Sequence, residues 1–137
     1  MFEIFKGCWD FKRTLSSTDL ILRGEAVFTP LDERTLQYSE KGSYPLQGGV
    51  QSFYQNRFFM VEGSSLIILK ETRESLHQFD FGNALGFPAK ASHTHPCGED
   101  FYHCLFQVMS PTQFETFYTI GGAQKQEQIL TTFWKKL

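Results

Sequence analysis

Alternation with a period of two runs through most of this chain, and sustained helical periodicity is nearly absent. The stretch "GCWDFKR", residues 7–13, shows the pattern. Gly7, Trp9, Phe11 and Arg13 share one parity, and Cys8, Asp10 and Lys12 share the other. Successive side chains of a strand point to opposite faces, so each such segment has one face to bury and one to leave wet. The pattern predicts strands at roughly 6–15, 20–29, 34–42, 50–60, 64–70, 74–81, 100–109, 113–121 and 125–136. Turn sequences separate them: "SSTD" at 16–19, "TPLDE" at 29–33, "GSYPLQGG" at 42–49, "EGSS" at 62–65, "SPT" at 110–112 and "GGAQ" at 121–124. Antiparallel strands joined this way close into sandwiches or barrels. A length of 137 residues fits a single domain, 1–137. One connection breaks the rhythm. "GNALGFPAKASHTHPCGE", residues 82–99, is too long for a hairpin and is expected to be a loop acting as a lid.

Composition narrows the partners. The net charge is −2 and the basic residues are scattered, so no electrostatic footprint for nucleic acid is present. No apolar run is long enough to span a membrane. The first residues lack the basic, apolar and small-residue order of a signal peptide. The three cysteines have no framework spacing. These features together predict a reduced, cytoplasmic chain without disulfides.

Choosing in each strand the parity with most bulk predicts the interior. Strand by strand it holds Gly7, Trp9, Phe11, Arg13; Leu22, Gly24, Ala26, Phe28; Leu36, Tyr38, Glu40, Gly42; His77, Phe79, Phe81; Asp100, Tyr102, Cys104, Phe106; Phe114, Thr116, Tyr118, Ile120; and Ile129, Thr131, Phe133, Lys135. Residues 50–60 leave the choice open. Tyr54 and Phe58 oppose Phe53 and Phe59 there, so Tyr54 joins the inner set on one choice of parity. Arg13, Glu40, His77 and Asp100 are out of place in a dry core unless paired. A barrel of about eight strands has room for one small ligand, and such groups then line a cavity. Arg13 has a second reading, as an internal partner of Glu40 or Asp100.

Gly7-x-Trp9 on a first strand with a cation, Lys135, on the last resembles the signature of the calycin superfamily, which includes the lipocalins. In that superfamily the Trp closes one barrel end and a basic side chain lies over it, a contact worth ~1 kcal/mol. The whole chain further resembles a functionally uncharacterised family of small bacterial domains with a calycin-like (lipocalin-like) barrel. The matching pieces are "GCWDFKR", "GEAVF" at 24–28, "LQYSEKG" at 36–42, Tyr54, "SLHQFDF" at 75–81, "HPCGEDFY" at 95–102 and "GGAQKQEQILTTFWK" at 121–135. The chain departs from the family pattern at Ala123, where Pro is usual, and at Lys135, where Arg is usual. The resemblance implies an all-β, single antiparallel barrel of about eight to ten strands, and no particular activity.

The residues point to a small organic molecule as partner, with an aromatic or aliphatic body and a polar or anionic end. Arg13 is expected to hold the anionic end. Tyr38, Glu40, Tyr54, His77, His95, Asp100 and Tyr102 are expected to complete the site. An alternative is an enzyme in which His77 or His95 works as acid–base with Glu40 or Asp100. Another is a histidine-ligated metal or haem barrel, with His95, Cys97 and His77 as ligands. Neither ligand nor cofactor can be named from these residues, and no metal is assigned. Phe53 and Phe117, if exposed, would supply a homodimer patch.

Overall fold

The computed structural model describes residues 2–82, 86–123 and 126–137. A helical turn, α1 (Phe2–Phe5), precedes ten strands: β1 (Gly7–Leu15), β2 (Ile21–Pro30), β3 (Thr35–Leu46), β4 (Gly49–Glu62), β5 (Ser65–Lys70), β6 (Ser75–Asp80), β7 (Ala89–Cys97), β8 (Asp100–Ser110), β9 (Gln113–Gly121) and β10 (Gln126–Lys135). They form one sheet in the order β6-β5-β4-β3-β2-β1-β10-β9-β8-β7, with every hydrogen-bonded pair antiparallel. The two ends of that order, β6 and β7, lie beside each other, so the sheet curls into a nearly closed barrel.

Where an inner parity was assigned from the sequence, the barrel uses it. Trp9, Phe11, Ala26, Phe28, Leu36, Tyr38, Glu40, His77, Phe79, Phe81, Cys104, Phe106, Phe114, Thr131 and Phe133 are all buried. In β4 the odd residues point inward: Phe59 is buried, while Phe53 packs against the core. Tyr54 therefore stands outside, 76% exposed, opposite Lys41. Phe58 shares that outer face, with the Arg73 guanidinium 3.8 Å over its ring.

One end of the barrel is plugged by aromatic rings. Phe5 on α1 is fully buried, with its ring centroid 5.2 Å from Phe114, 5.5 Å from Phe28 and 6.0 Å from Phe59 and Phe106. Trp9 Nε1 donates to the Phe5 carbonyl at 2.9 Å, and Lys135 Nζ donates to the Ile4 carbonyl at 2.8 Å. The Lys135 ammonium also lies 5.5 Å from the Trp9 ring centroid. Two backbone carbonyls of the turn that carries the plug are thus satisfied by the Trp9–Lys135 pair. A turn of four residues is too short to show periodicity, which is why sequence patterning passes over it.

The expected loop at 82–99 is corrected by the structure. Residues Ala89–Cys97 form β7, paired in register with β8 from Ala89↔Val108 to Cys97↔Asp100. Its inward row is Ala89, Ala91, His93, His95 and Cys97, small or polar rather than bulky, so no hydrophobic alternation marks it. Pro96 is tolerated because β7 is an edge strand, hydrogen-bonded on one side only. The remaining connection leaves Phe81 and returns at Ala89, each 6% exposed in the core at the plugged end. Residues 83–85 of it lie outside the described residues. The turn of the β7–β8 hairpin, between Cys97 and Asp100, lies at the other end.

Gly24 and Gly42 face each other across β2 and β3, with the Phe11 and Phe53 rings lying over them. A Cβ on Gly24 would run into the Lys41 carbonyl and come within 2.7 Å of Phe11 Cζ. Gly24→Ala is expected to cost about 1.5 kcal/mol of unfolding free energy in urea titration, because backbone as well as ring must shift. No loss of stability would show that the strands can separate freely at this bend.

Candidate functional site

Above the aromatic plug the barrel encloses a cavity of about 420 Å³. Its inner end is lined by Phe59, Phe114 and Phe133, and its sides by Ile68, Leu76, Ile120 and Ile129. Polar groups enter from two walls. Arg13, Tyr38, Glu40, Gln55, Arg57 and Lys70 come from β1, β3, β4 and β5; His95, Cys97, Tyr102, Thr116 and Tyr118 come from β7, β8 and β9.

Glu40, 3% exposed, organises the first wall. Arg13 Nη1 donates to Glu40 Oε2 at 2.8 Å and Nη2 to Oε1 at 3.0 Å, while Arg13 Nε donates to Thr131 Oγ1 at 2.8 Å. Tyr38 Oη donates to Glu40 Oε1 at 2.6 Å. With its amide turned to suit both neighbours, Gln55 donates to Glu40 Oε1 at 3.3 Å and accepts from Arg57 Nη2 at 2.9 Å. Burial pulls the Arg13 guanidinium down, but the hydrogen bonds and charge of Glu40 outweigh it and leave it above its ordinary value. Burial drives the Tyr38 phenol well above its usual range, and the Glu40 charge adds to that, so it stays a neutral donor. Arg13 therefore takes the internal role: its fork is committed to Glu40 and its remaining nitrogen to Thr131.

The second wall meets the barrel seam. His77 on β6 is fully buried, with Nδ1 3.0 Å from Nδ1 of His93 on β7. The His77 ring centroid lies 6.2 Å from that of His95 and 5.4 Å from that of Tyr118. His77 Nε2 has no hydrogen-bond partner among the described residues. Burial first, then the neighbouring histidines and Arg57, push the His77 imidazole down to about 3. His93, placed in a loop by the sequence pattern, is instead a strand residue that clasps the seam. Tyr118 shares a side-chain hydrogen bond with the buried Cys104, whose thiol burial pushes up to about 12. Burial raises the Tyr118 phenol well above its usual range.

Of the residues singled out in the sequence, Arg13, Tyr38, Glu40, His95 and Tyr102 line the cavity. His77 is sealed into the seam behind it, and Tyr54 belongs to the outer face for the reason of parity given above. Asp100 starts β8 at the mouth, its carboxylate against the Gly122 backbone, and does not line the cavity. Among the described residues no group of three or more His, Cys, Asp or Glu side chains is placed to hold a metal ion. Phe53 points inward against Phe11, and Phe117 is half-buried on the outer face beside Leu105 and Leu130. Sequence reasoning missed Gln55, Arg57 and Lys70. Nothing within β4 could have found Gln55 and Arg57, since Tyr54 and Phe58 oppose Phe53 and Phe59 there and leave the parity undecided.

The fold is shared with proteins of little sequence similarity. The S-type phycobiliprotein lyase of Guillardia theta superposes with a TM-score of 0.72 at 10% identity, covering 99% of this chain and 90% of the lyase. A redesigned β-barrel, mFAP1, solved bound to DFHBI, gives 0.56 at 16% identity, over 97% of this chain and 96% of its own. A de novo designed fluorescence-activating β-barrel gives 0.55 at 13% identity, over 98% of this chain and 95% of its own. No curated protein sequence matches the chain. Residues 5–135 match the profile of a family described as of unknown function. Among the described residues no helix is long and apolar enough to cross a membrane.

Proposed function

The chain belongs to the family of unknown function DUF6314, so its role has to be read from the cavity, and we propose that the barrel binds a small organic molecule in its lumen. The observation that carries this is a cavity of about 420 Å³ whose inner end and sides are apolar while its polar groups sit on two walls. Small-molecule sites are concave, mostly apolar and a few hundred Å³ in volume, with a small number of placed polar groups. The structure of mFAP1 with DFHBI is consistent with this: a barrel of this architecture can hold a small molecule. A catalytic role through His77 with Glu40 has less support, since His77 is sealed from the lumen and Glu40 is committed to Arg13 and Tyr38.

The test uses N-phenyl-1-naphthylamine, a neutral apolar fluorophore. Saturable binding with enhanced emission is expected, and Ile120→Trp, which places a large ring in the cavity wall, should weaken it by about tenfold or more. Near-UV circular dichroism checks that the variant keeps its fold. Absence of saturable binding, or equal affinity in a folded Ile120→Trp protein, would overturn the proposal.

A further inference from the structure

Arg57 on β4 and Lys70 on β5 are direct partners in the antiparallel register, both half-buried, and both line the cavity. Like charges placed opposite each other on one face of a sheet destabilise it. The cost rises in a low-dielectric lumen. Yet among the described residues neither side chain forms an ion pair with a carboxylate. Arg57 Nη1 donates to the Asn56 carbonyl at 3.0 Å and Nη2 can donate to Gln55, which are neutral acceptors. Among the described residues one carboxylate lines the cavity, that of Glu40, and it is taken by Arg13 and Tyr38. The lumen wall thus carries Arg57 and Lys70 as cations without counter-charge.

We infer that Arg57 and Lys70 form an anion subsite, and that the ligand class is an organic anion whose acidic head lies between these two side chains and whose apolar body fills the lumen. The inference rests on the cavity binding a small molecule at all, and adds the charge of the ligand and the residues that read it. A guanidinium and an ammonium facing one anionic head supply charge-assisted hydrogen bonds, the strong kind. They also lose their mutual repulsion when the head enters. The body would meet Ile68 and Leu76 beside the cations and the rings of Phe59, Phe114 and Phe133 farther in. Arg13, which the sequence alone nominates for the anion, is replaced in that role because Glu40 occupies its fork.

Two probes of one shape separate this from cavity binding. 1-Anilinonaphthalene-8-sulfonate carries the acidic head, and N-phenyl-1-naphthylamine is the same body without it. The folded protein should prefer the sulfonate by about tenfold or more. In Arg57→Gln/Lys70→Gln that ratio should fall to about one to threefold, and raising the salt concentration should reduce it in the wild type. Lys41→Gln on the outer face serves as control and should keep the wild-type ratio. Displacement of the sulfonate probe by dodecanoate, but far less by dodecanol, is the matching result with aliphatic ligands. If the double variant does not fold, Arg57→Gln and Lys70→Gln are read singly, each with a partial fall. The inference is overturned if the neutral probe binds as well as the sulfonate, if the ratio survives in folded variants, or if dodecanol displaces as well as dodecanoate. Failure of both probes to bind tells instead against the cavity reading itself.

Discussion

Glu40→Ala is expected to destabilise the barrel by about 4 kcal/mol, because it leaves a desolvated guanidinium without its counter-ion. The Glu40 side chain is 1% exposed and that of Arg13 17%, and they meet through both carboxylate oxygens. Tyr38 Oη loses its acceptor in the same change, which adds an unsatisfied buried donor. The size of this loss does not mean that the pair stabilises the fold by as much. Removing two charges from water costs about what their attraction returns, so replacing both partners by apolar groups of similar volume is often neutral or better. Arg13→Met/Glu40→Leu should therefore recover most of the single-variant loss and lie within about 1 kcal/mol of wild type or above it. Urea unfolding of the two single variants and the double gives the comparison. A loss below about 1 kcal/mol in Glu40→Ala would mean that water reaches Arg13 and the lumen is wetter than its geometry indicates.

Mild acid should weaken the protein through His77. In an unfolded chain this imidazole takes up its proton near the ordinary 6.5, whereas in the barrel it is pushed down to about 3, by burial first and then by His93, His95, His103 and Arg57. Between those values the unfolded state binds more protons, so stability falls as pH falls. The contribution is fully present above 6.5 and is lost progressively towards 3. The loss amounts to about 2 kcal/mol by pH 5 and about 3 kcal/mol by pH 4. The geometry explains why the two rings cannot both be protonated. A bond between His77 Nδ1 and His93 Nδ1, 3.0 Å apart, needs a lone pair on one of the two atoms. Two imidazolium rings would set N–H against N–H at the seam, where the neighbouring strands β6 and β7 share no ladder hydrogen bonds among the described residues. His93 is also held below its ordinary value, by burial and then by His95 and His103, and acts in the same direction. Unfolding free energy measured from pH 7 to pH 5 in wild type and His77→Phe makes the check, above the carboxylate range. The slope should flatten in the variant; parallel slopes would assign the acid sensitivity to other groups.

Most of the barrel was legible as period-two patterning because a sheet with one buried face writes its burial directly into alternate residues. Trp9, Phe28, Leu36, Phe79, Phe106 and Phe133 could each be assigned inward from their neighbours along the chain. Two parts were not legible. The strand Ala89–Cys97 buries Ala and His where bulk is expected, and β4 carries aromatic residues on both faces, Phe53 and Phe59 inside against Tyr54 and Phe58 outside. In both, hydrophobicity alone does not choose a face, because the residues that settle the choice lie on neighbouring strands.

The candidate site divides along the same line. Local alternation was enough to place Arg13, Tyr38, Glu40 and Tyr102 on the inner face, since parity is a property of one strand. Which of those charges cancel is a property of distance between strands. Pairing Arg13 with Glu40, joining His77 to His93 across the seam, and leaving Arg57 beside Lys70 without a carboxylate all require residues far apart in the chain to meet. Composition and pattern determined that charged groups face a lumen; closure of the sheet decided which of them are spent on one another and which are left for a ligand, because electrostatic energy depends on separation in space and the sequence records only separation along the chain.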